Sequence, residues 1–253
     1  MKFIVSKDYN HSSAMVSHVI EGIVKQKPDA WIALPAHSSF DRMYEHLVEA
    51  VENKEVDLSQ VHFLLVHEYI GLSQHHPESA YEYLNRSLFT PCNISPDNIH
   101  AMDGSQEAQS EASAFNQFLD AIGPLDCVIT GIGLNGHIAY NQPAEGLYPR
   151  IHADVLDNGS RLRLSKAFDD VNEVPTQTLT LGIQDLLKAK KLVLLACGMD
   201  KSSLIKKVLQ TKTLQSSFPA SFIHLHANAI LCVDQDAALE TGFKVQAESD
   251  KSE

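Results

Sequence analysis

Short apolar runs alternate with amphipathic stretches along most of this chain. Six apolar runs predict strands, at residues 3–5, 30–34, 61–66, 125–130, 191–196 and 229–233. Apolar residues at three- and four-residue spacing predict helices at residues 15–24, 39–53, 78–88, 108–122, 179–189 and 201–209. Nearly continuous apolar strands that alternate with helices are typical of sheets covered on both faces. The pattern therefore predicts an α/β fold, Rossmann-like, with a mostly parallel sheet and helices on both faces.

The same pattern bounds the domain organisation. The 253 residues contain no internal repeat, low-complexity segment or clear linker. One domain over residues 1–241 is the simplest prediction for this length. Residues 242–253 are polar, and we expect them to form a flexible tail. Residues 141–175 are weakly periodic, which is typical of lids and binding loops.

Composition excludes several classes of partner. The net charge of −12 argues against non-specific binding to nucleic acid or to anionic membranes. No apolar run approaches the roughly 20 residues of a membrane span, and the first residues do not resemble a signal peptide. The four cysteines are far apart, which favours buried structural thiols and a cytoplasmic location; they are Cys92, Cys127, Cys197 and Cys232.

The run GIGLNGHIAYNQP, at residues 131–143, directly follows the predicted strand at 125–130. Its glycines allow sharp turns and a close approach to a ligand. Loops that follow parallel strands are where open α/β sheets bind ligands. His137 can move protons near neutral pH, with the carboxamides of Asn135 and Gln142 close by. The run therefore predicts a catalytic loop.

Metal binding has little support in the sequence. Thirteen histidines are present, but no HExxH or similar ligand spacing occurs. His224 and His226 would share one face of a strand but lie on different faces of a helix, which makes them the one candidate pair for zinc. We predict neither a metal site nor a cofactor.

Several short motifs occur in a fixed order along the chain. They are VHEYIGL at 66–72, HPES at 76–79, GIGLNGHIAYNQP at 131–143, TLTLGI at 178–183, LACGMDK at 195–201 and FPAS at 218–221. Their order and spacing resemble the glucosamine-6-phosphate deaminase/isomerase family, including its galactosamine-6-phosphate relatives. The resemblance covers residues 1–238. The 6-phosphogluconolactonases share the fold, but the first two motifs resemble the deaminases more closely.

The resemblance implies a reaction and its catalytic residues. The family opens the ring of an amino-sugar 6-phosphate, isomerises it to a ketohexose 6-phosphate and releases ammonia, without a metal or redox cofactor. His137 matches the ring-opening histidine. His67 stands where the family has a basic aspartate, Asn135 stands where it has a supporting aspartate, and Gln142 replaces a glutamate. Glu68 is the nearest substitute carboxylate, although alternation along a strand points it away from His67.

The resemblance also implies a phosphate site. Ser38 and Ser39, in the turn ALPAHSSF, keep hydroxyls and offer backbone N–H groups at a helix start; their alternative role is that of an N-cap. His37 replaces a small residue of the family turn. Arg161 and Lys201 match the family's phosphate-binding cations.

Three functions remain open from the sequence. The first is an active deaminase/isomerase of glucosamine 6-phosphate or galactosamine 6-phosphate. The second is a sugar-phosphate-binding or regulatory paralogue that has lost turnover. The third, which the motifs favour least, is a 6-phosphogluconolactonase. The family includes monomers and hexamers, so a homo-oligomer is one expectation.

Overall fold

The main sheet has seven strands, all parallel to their neighbours. The computed structural model describes residues 1–245. The strands are β1 (Lys2–Ser6), β2 (Trp31–Leu34), β3 (His62–Leu65), β5 (Ile99–His100), β6 (Cys127–Gly131), β9 (Leu192–Ala196) and β10 (Ala229–Asp234). Their order across the sheet is β1-β10-β9-β6-β2-β3-β5. The predicted Rossmann-like α/β fold with a mostly parallel sheet is confirmed.

A second, smaller sheet is antiparallel and lies beyond the end of β3. It consists of β4 (His67–Tyr69), β8 (Gln177–Thr180) and β7 (His152–Val155), with β8 in the centre. The helix predicted at residues 179–189 was therefore wrong at its start, because residues 179–180 belong to β8. Residues 141–175, which have weak periodicity, contain β7 and a short helix.

Eight α-helices accompany the strands within residues 1–245. They are α1 (Tyr9–Gln26), α2 (Asp41–Glu52), α3 (Ala80–Leu84), α4 (Ala108–Ile122), α5 (Asn158–Leu164), α6 (Ile183–Lys188), α7 (Ser202–Gln210) and α8 (Gln235–Ala238). None of the helices described is long and apolar enough to cross a bilayer.

Alternation along the strands produces one apolar cluster on each face of the main sheet. Ile32 and Leu34 of β2 pack in the cluster that contains residues of α1 and α2, whereas Ala33 packs in the cluster that contains residues of α4, α6 and α7. Because every strand of the interior contributes to both clusters, each face needs its own layer of helices. This explains why the strands are apolar at nearly every position.

The four thiols are free, and burial raises the pKa of each to about 12. The predicted tail is described only at residues 242–245, where Phe243 packs edge-on against Phe3 with ring centroids 5.2 Å apart. Residues 246–253 lie outside the described part. His224 and His226 each contact a backbone carbonyl oxygen at 2.8 Å, those of Val208 and Ala189.

Candidate active site

A cavity of about 650 Å³ lies at the carboxyl edge of the main sheet. The segments that follow β2, β3, β6 and β9 all contribute to its wall. This is the edge at which open α/β sheets bind ligands. Six of the nine predicted site residues line it: Ser38, Ser39, His67, Asn135, His137 and Lys201. Glu68, Gln142 and Arg161 are not among its lining residues.

The loop at residues 131–143 is held by both sheets. The backbone N–H of Ala139 donates to Thr130 Oγ1 of β6, and that of Tyr140 donates to Thr180 Oγ1 of β8, each at 3.1 Å. The buried Asn141 amide donates to the carbonyl oxygens of residues 138 and 181, at 3.0 and 2.9 Å. The loop is therefore fixed at the point where the two sheets meet.

Two glycines of this loop are required by close packing. A Cβ on Gly133 would lie 2.1–2.4 Å from ring atoms of His137, so only glycine lets the imidazole lie against the backbone. Gly136 has a φ of +87°, and a Cβ there would lie 2.4 Å from the Phe218 ring. The glycine pattern of the sequence thus serves to seat the histidine.

His137 is buried at the cavity wall, with its ring stacked on that of Tyr140 at a centroid distance of 5.5 Å. Its Nδ1 has no hydrogen-bond partner among the described residues. The nearest carboxylate oxygen, Asp157 Oδ2, is 3.8 Å from this nitrogen. Burial is the main cause that lowers the pKa of His137 to about 4. The charge of Asp157 raises this pKa, whereas the charge of Lys201 lowers it. The imidazole is therefore neutral at pH 7.

The two carboxamides of the loop bind each other. Asn135 Nδ2 donates to Gln142 Oε1 at 2.8 Å, and Asn135 Oδ1 accepts the backbone N–H of His137 at 3.1 Å. The Asn135 oxygen therefore holds the backbone of the loop and not the imidazole ring. Neither amide supplies a charge to the site.

His67 and Glu68 point in opposite directions from β4. His67 faces the cavity, and its Nε2 is buried without a hydrogen-bond partner among residues 1–245. Burial is the main cause that lowers its pKa to about 3, and the charges of two other cavity histidines contribute to this lowering. The Glu68 carboxylate accepts the backbone N–H groups of Tyr69, Ala80 and Tyr81 at 2.7–3.0 Å. Glu68 thus fixes the start of α3 and does not line the cavity.

The turn after β2 is organised by His37. Its Nδ1 lies 3.1 Å from the backbone nitrogen and 2.9 Å from the hydroxyl of Ser39. Burial lowers the pKa of His37 to about 4, so that Nδ1 accepts both hydrogen bonds at neutral pH. The Ser39 donors expected for phosphate are therefore already used, while the exposed Ser38 still faces the cavity.

Two cations line the cavity. Lys201 Nζ donates to the carbonyl oxygen of Ile132 at 2.7 Å, and burial lowers its pKa. The second cation is Arg163 on α5, two residues from the predicted Arg161. Positions two residues apart lie on different faces of a helix, so only one of these arginines points into the cavity.

Sequence reasoning missed Asp157 and Arg163. Both lie in the segment with weak periodicity, where the resemblance supplied a match at Arg161 but at neither of these two positions. Asp157 is followed by Asn-Gly-Ser, a pattern that resembles an ordinary helix N-cap, and it does cap α5. The two arginines indicated a cation on this helix, but the sequence did not show which of the two faces the cavity.

Fold and cavity together define a Rossmann-like α/β protein with an imidazole- and cation-lined ligand site. The family model of glucosamine-6-phosphate isomerases/6-phosphogluconolactonase matches residues 9–232. The chain belongs to this family.

Curated relatives agree with this assignment. The chain is 35% identical to the glucosamine-6-phosphate deaminase of Clostridium novyi (strain NT) over 239 residues, 94% of this chain and 99% of that one. It is 32% identical to the deaminase of Thermoanaerobacter pseudethanolicus, over 94% of each chain. At the family level, these comparisons indicate an enzyme family of amino-sugar phosphate deaminases and isomerases.

Solved structures show the same relationship. A monomeric glucosamine-6-phosphate deaminase superposes with a TM-score of 0.90 at 28% identity, covering 95% of this chain and 100% of that chain. The 6-phosphogluconolactonase of Leishmania guyanensis gives a TM-score of 0.75 at 18% identity, covering 93% and 97%. The latter likeness shows the shared fold alone.

Proposed function

We propose that this protein is a deaminase/isomerase of an amino-sugar 6-phosphate, glucosamine 6-phosphate or galactosamine 6-phosphate, that yields a ketohexose 6-phosphate and ammonia. The observation that carries the proposal is the joint placement of two neutral imidazoles, His137 and His67, in one cavity with Lys201 and Arg163. Neutral imidazoles accept protons, and cations hold a phosphate.

His137 opens the sugar ring. The proton of the C1 hydroxyl passes to the imidazole, the bond between C1 and the ring oxygen breaks, and the ring oxygen receives a proton. The product is the open-chain aldehyde. A neutral His137 at pH 7 has the free nitrogen lone pair that the first transfer needs.

His67 takes the base position near C2. It removes the C2 proton while the C1 oxygen gains one, which gives an enolamine. The proton returns to C1, the nitrogen loses a proton and becomes an imine at C2, and water hydrolyses this imine to the ketone and ammonia. We assign this step to Nε2 of His67, which has no hydrogen-bond partner within residues 1–245.

The phosphate lies at the end of the cavity formed by Lys201, Arg163 and the Ser38 turn. Burial lowers the pKa of Lys201, and the charge of Arg163 lowers it as well. A dianionic phosphate would relieve the repulsion that Lys201 experiences from Arg163. Arg161 does not line the cavity. Its Nε is buried without a hydrogen-bond partner among the described residues.

The second candidate function is a sugar-phosphate-binding paralogue without turnover. It is favoured by the low pKa of His67, about 3, because so weak a base removes a carbon-bound proton slowly. The Asn135–Gln142 pair adds to it, since neither amide carries a proton to the substrate.

Ammonia release from glucosamine 6-phosphate and galactosamine 6-phosphate separates the two candidates, with His137→Ala as the control. We expect release from one of the two sugars that the control abolishes. Binding by calorimetry without release, over the same sugars and 6-phosphogluconolactone, would establish the binding paralogue instead. Hydrolysis of the lactone would contradict both.

A further inference from the structure

A carboxylate from outside the glycine loop lies beside the buried side of His137. Asp157 Oδ2 is 3.8 Å from His137 Nδ1, and this nitrogen has no hydrogen-bond partner within the described part of the chain. The gap exceeds a hydrogen bond by about 1 Å. A small side-chain movement therefore gives the orphaned ring nitrogen an acceptor, and buried polar atoms are rarely left without one.

Asp157 is itself held in place. Its carboxylate accepts the backbone N–H groups of Gly159 and Ser160 at 2.9 and 3.1 Å and the Ser160 hydroxyl at 2.6 Å. Ser160 Oγ in turn accepts from the Arg163 guanidinium at 2.9 Å. Burial raises the pKa of Asp157, but these hydrogen bonds and the charge of His137 outweigh it, and the net pKa lies below its ordinary value. The carboxylate is ionised at neutral pH.

We propose that Asp157 is the positioning residue of His137, accepting the Nδ1–H of its imidazole and leaving Nε2 free to exchange protons with the ligand. It supplies the carboxylate that Asn135 and Gln142 do not, from α5 and not from the loop. The catalytic consequence rests on the proposed function, whereas the pairing of the two side chains is a property of the fold.

The other charged groups around His137 do not take this role. Lys201 and Arg163 are cations, which lower its pKa. Asp154 accepts the backbone N–H of Gln142 at 3.0 Å, and it lies 3.6 Å from the ring of another histidine. The remaining titratable neighbours are Tyr140, on whose ring the imidazole stacks, and the two cavity imidazoles of residues 37 and 67. Asp157 is thus the carboxylate with the largest effect on His137.

The tautomer of His137 tests the pairing directly. Nitrogen-15 NMR of the full-length protein at pH 7.5, assigned with His137→Gln, should show the proton on Nδ1. Asp157→Ser keeps a good N-cap but is too short to reach the ring, so we expect the proton to move toward Nε2. Asp157→Glu should restore the Nδ1 form. Asp57→Ser, at an exposed carboxylate that accepts the backbone N–H of Ser59 in a turn, should change nothing.

Kinetics supply the second readout. We expect Asp157→Ser to lower kcat by about 10- to 100-fold with KM changed less than threefold, because orientation of an acid/base group acts on turnover. If Asp157→Ser does not fold, the carboxyl pKa of Asp157 is followed by carbon-13 NMR in His137→Gln. A rise in that pKa supports the pairing, and an unchanged value overturns it.

The outcomes separate this proposal from the proposed function. A tautomer shift in a protein that releases no ammonia supports the pairing and contradicts the deaminase. Ammonia release with Nitrogen-15 shifts of His137 unchanged in Asp157→Ser overturns the pairing and leaves the deaminase standing. A wild-type proton on Nε2 overturns the pairing regardless of turnover.

Discussion

Histidines at the two ends of the main sheet differ in how their ring nitrogens are used. At the amino end of β3, His62 stacks on Trp31 at a centroid distance of 4.1 Å, and its Nδ1 lies 3.1 Å from His100 Nε2. At the carboxyl edge, His137 Nδ1 and His67 Nε2 are buried without hydrogen-bond partners among residues 1–245. The first pair satisfies itself, whereas the second set is complete only with a ligand or a rearranged neighbour.

The difference shows where this fold leaves buried polar atoms without partners, which lowers its stability. A buried polar atom without a partner is unfavourable by about 1–3 kcal/mol. Such atoms are retained mainly at functional sites. The unpartnered ring nitrogens of the cavity histidines therefore indicate the site better than the number of histidines in the sequence does. The stacked histidines at the amino end have a packing role.

The largest expected effect comes from removing the ring-opening group. His137→Gln should lower ammonia release by about 10²- to 10⁴-fold, because that is the usual contribution of a general acid/base. The matched change His62→Gln should alter release by less than about twofold, since its ring lies outside the cavity. Comparable losses from both variants would remove the distinction between the two ends of the sheet.

The next effect is a gain. His67→Asp places a carboxylate where the resemblance expects the base, and we expect ammonia release to rise by about tenfold, within the range of general-base effects. The steady-state rate with saturating sugar phosphate is the measurement. No gain would mean that Gln142 or the His37 turn limits the reaction.

A smaller effect should distinguish the two arginines of α5. Arg163→Gln removes a cavity cation and should raise KM about tenfold, which corresponds to about 1.4 kcal/mol of binding. Arg161→Gln should leave KM within about twofold, because its side chain does not line the cavity. The reverse result would place the phosphate on the other face of the helix.

The smallest effect is on stability. The folded pKa values of His37 and His137 are about 4 and that of His67 about 3, all below the ordinary 6.5. The unfolded chain therefore binds more protons below pH 6.5, so stability is complete above pH 6.5 and falls as the pH drops toward 4. His67 alone should contribute a loss of about 1 kcal/mol at pH 5.5.

Urea unfolding at pH 7.5 and 5.5 measures this loss. His67→Gln lacks the titrating ring and should lose less stability between the two pH values. An identical pH dependence in the variant and the wild type would mean that His67 keeps its ordinary pKa in the folded state.

Much of the fold could be predicted from the sequence, because its signal is local. All six apolar runs are strands of the main sheet, and the ordered motifs led to the family. The antiparallel sheet was missed, because each of its strands has only three or four residues. Residues 179–180 were assigned to a helix because Leu179 also fits helical spacing with Ile183 and Leu186. Only pairing with His67 and His152 makes that segment a strand.

By itself, the sequence determined the parallel sheet, the loop at residues 131–143 and the family, since periodicity and short motifs are local properties of the sequence. Tertiary structure alone decided which charged groups reach the cavity. Asp157 and Arg163 lie in a segment without periodicity, and their positions depend on where α5 packs. Glu68 stands beside His67 in sequence but faces away, because adjacent residues of a strand point to opposite sides.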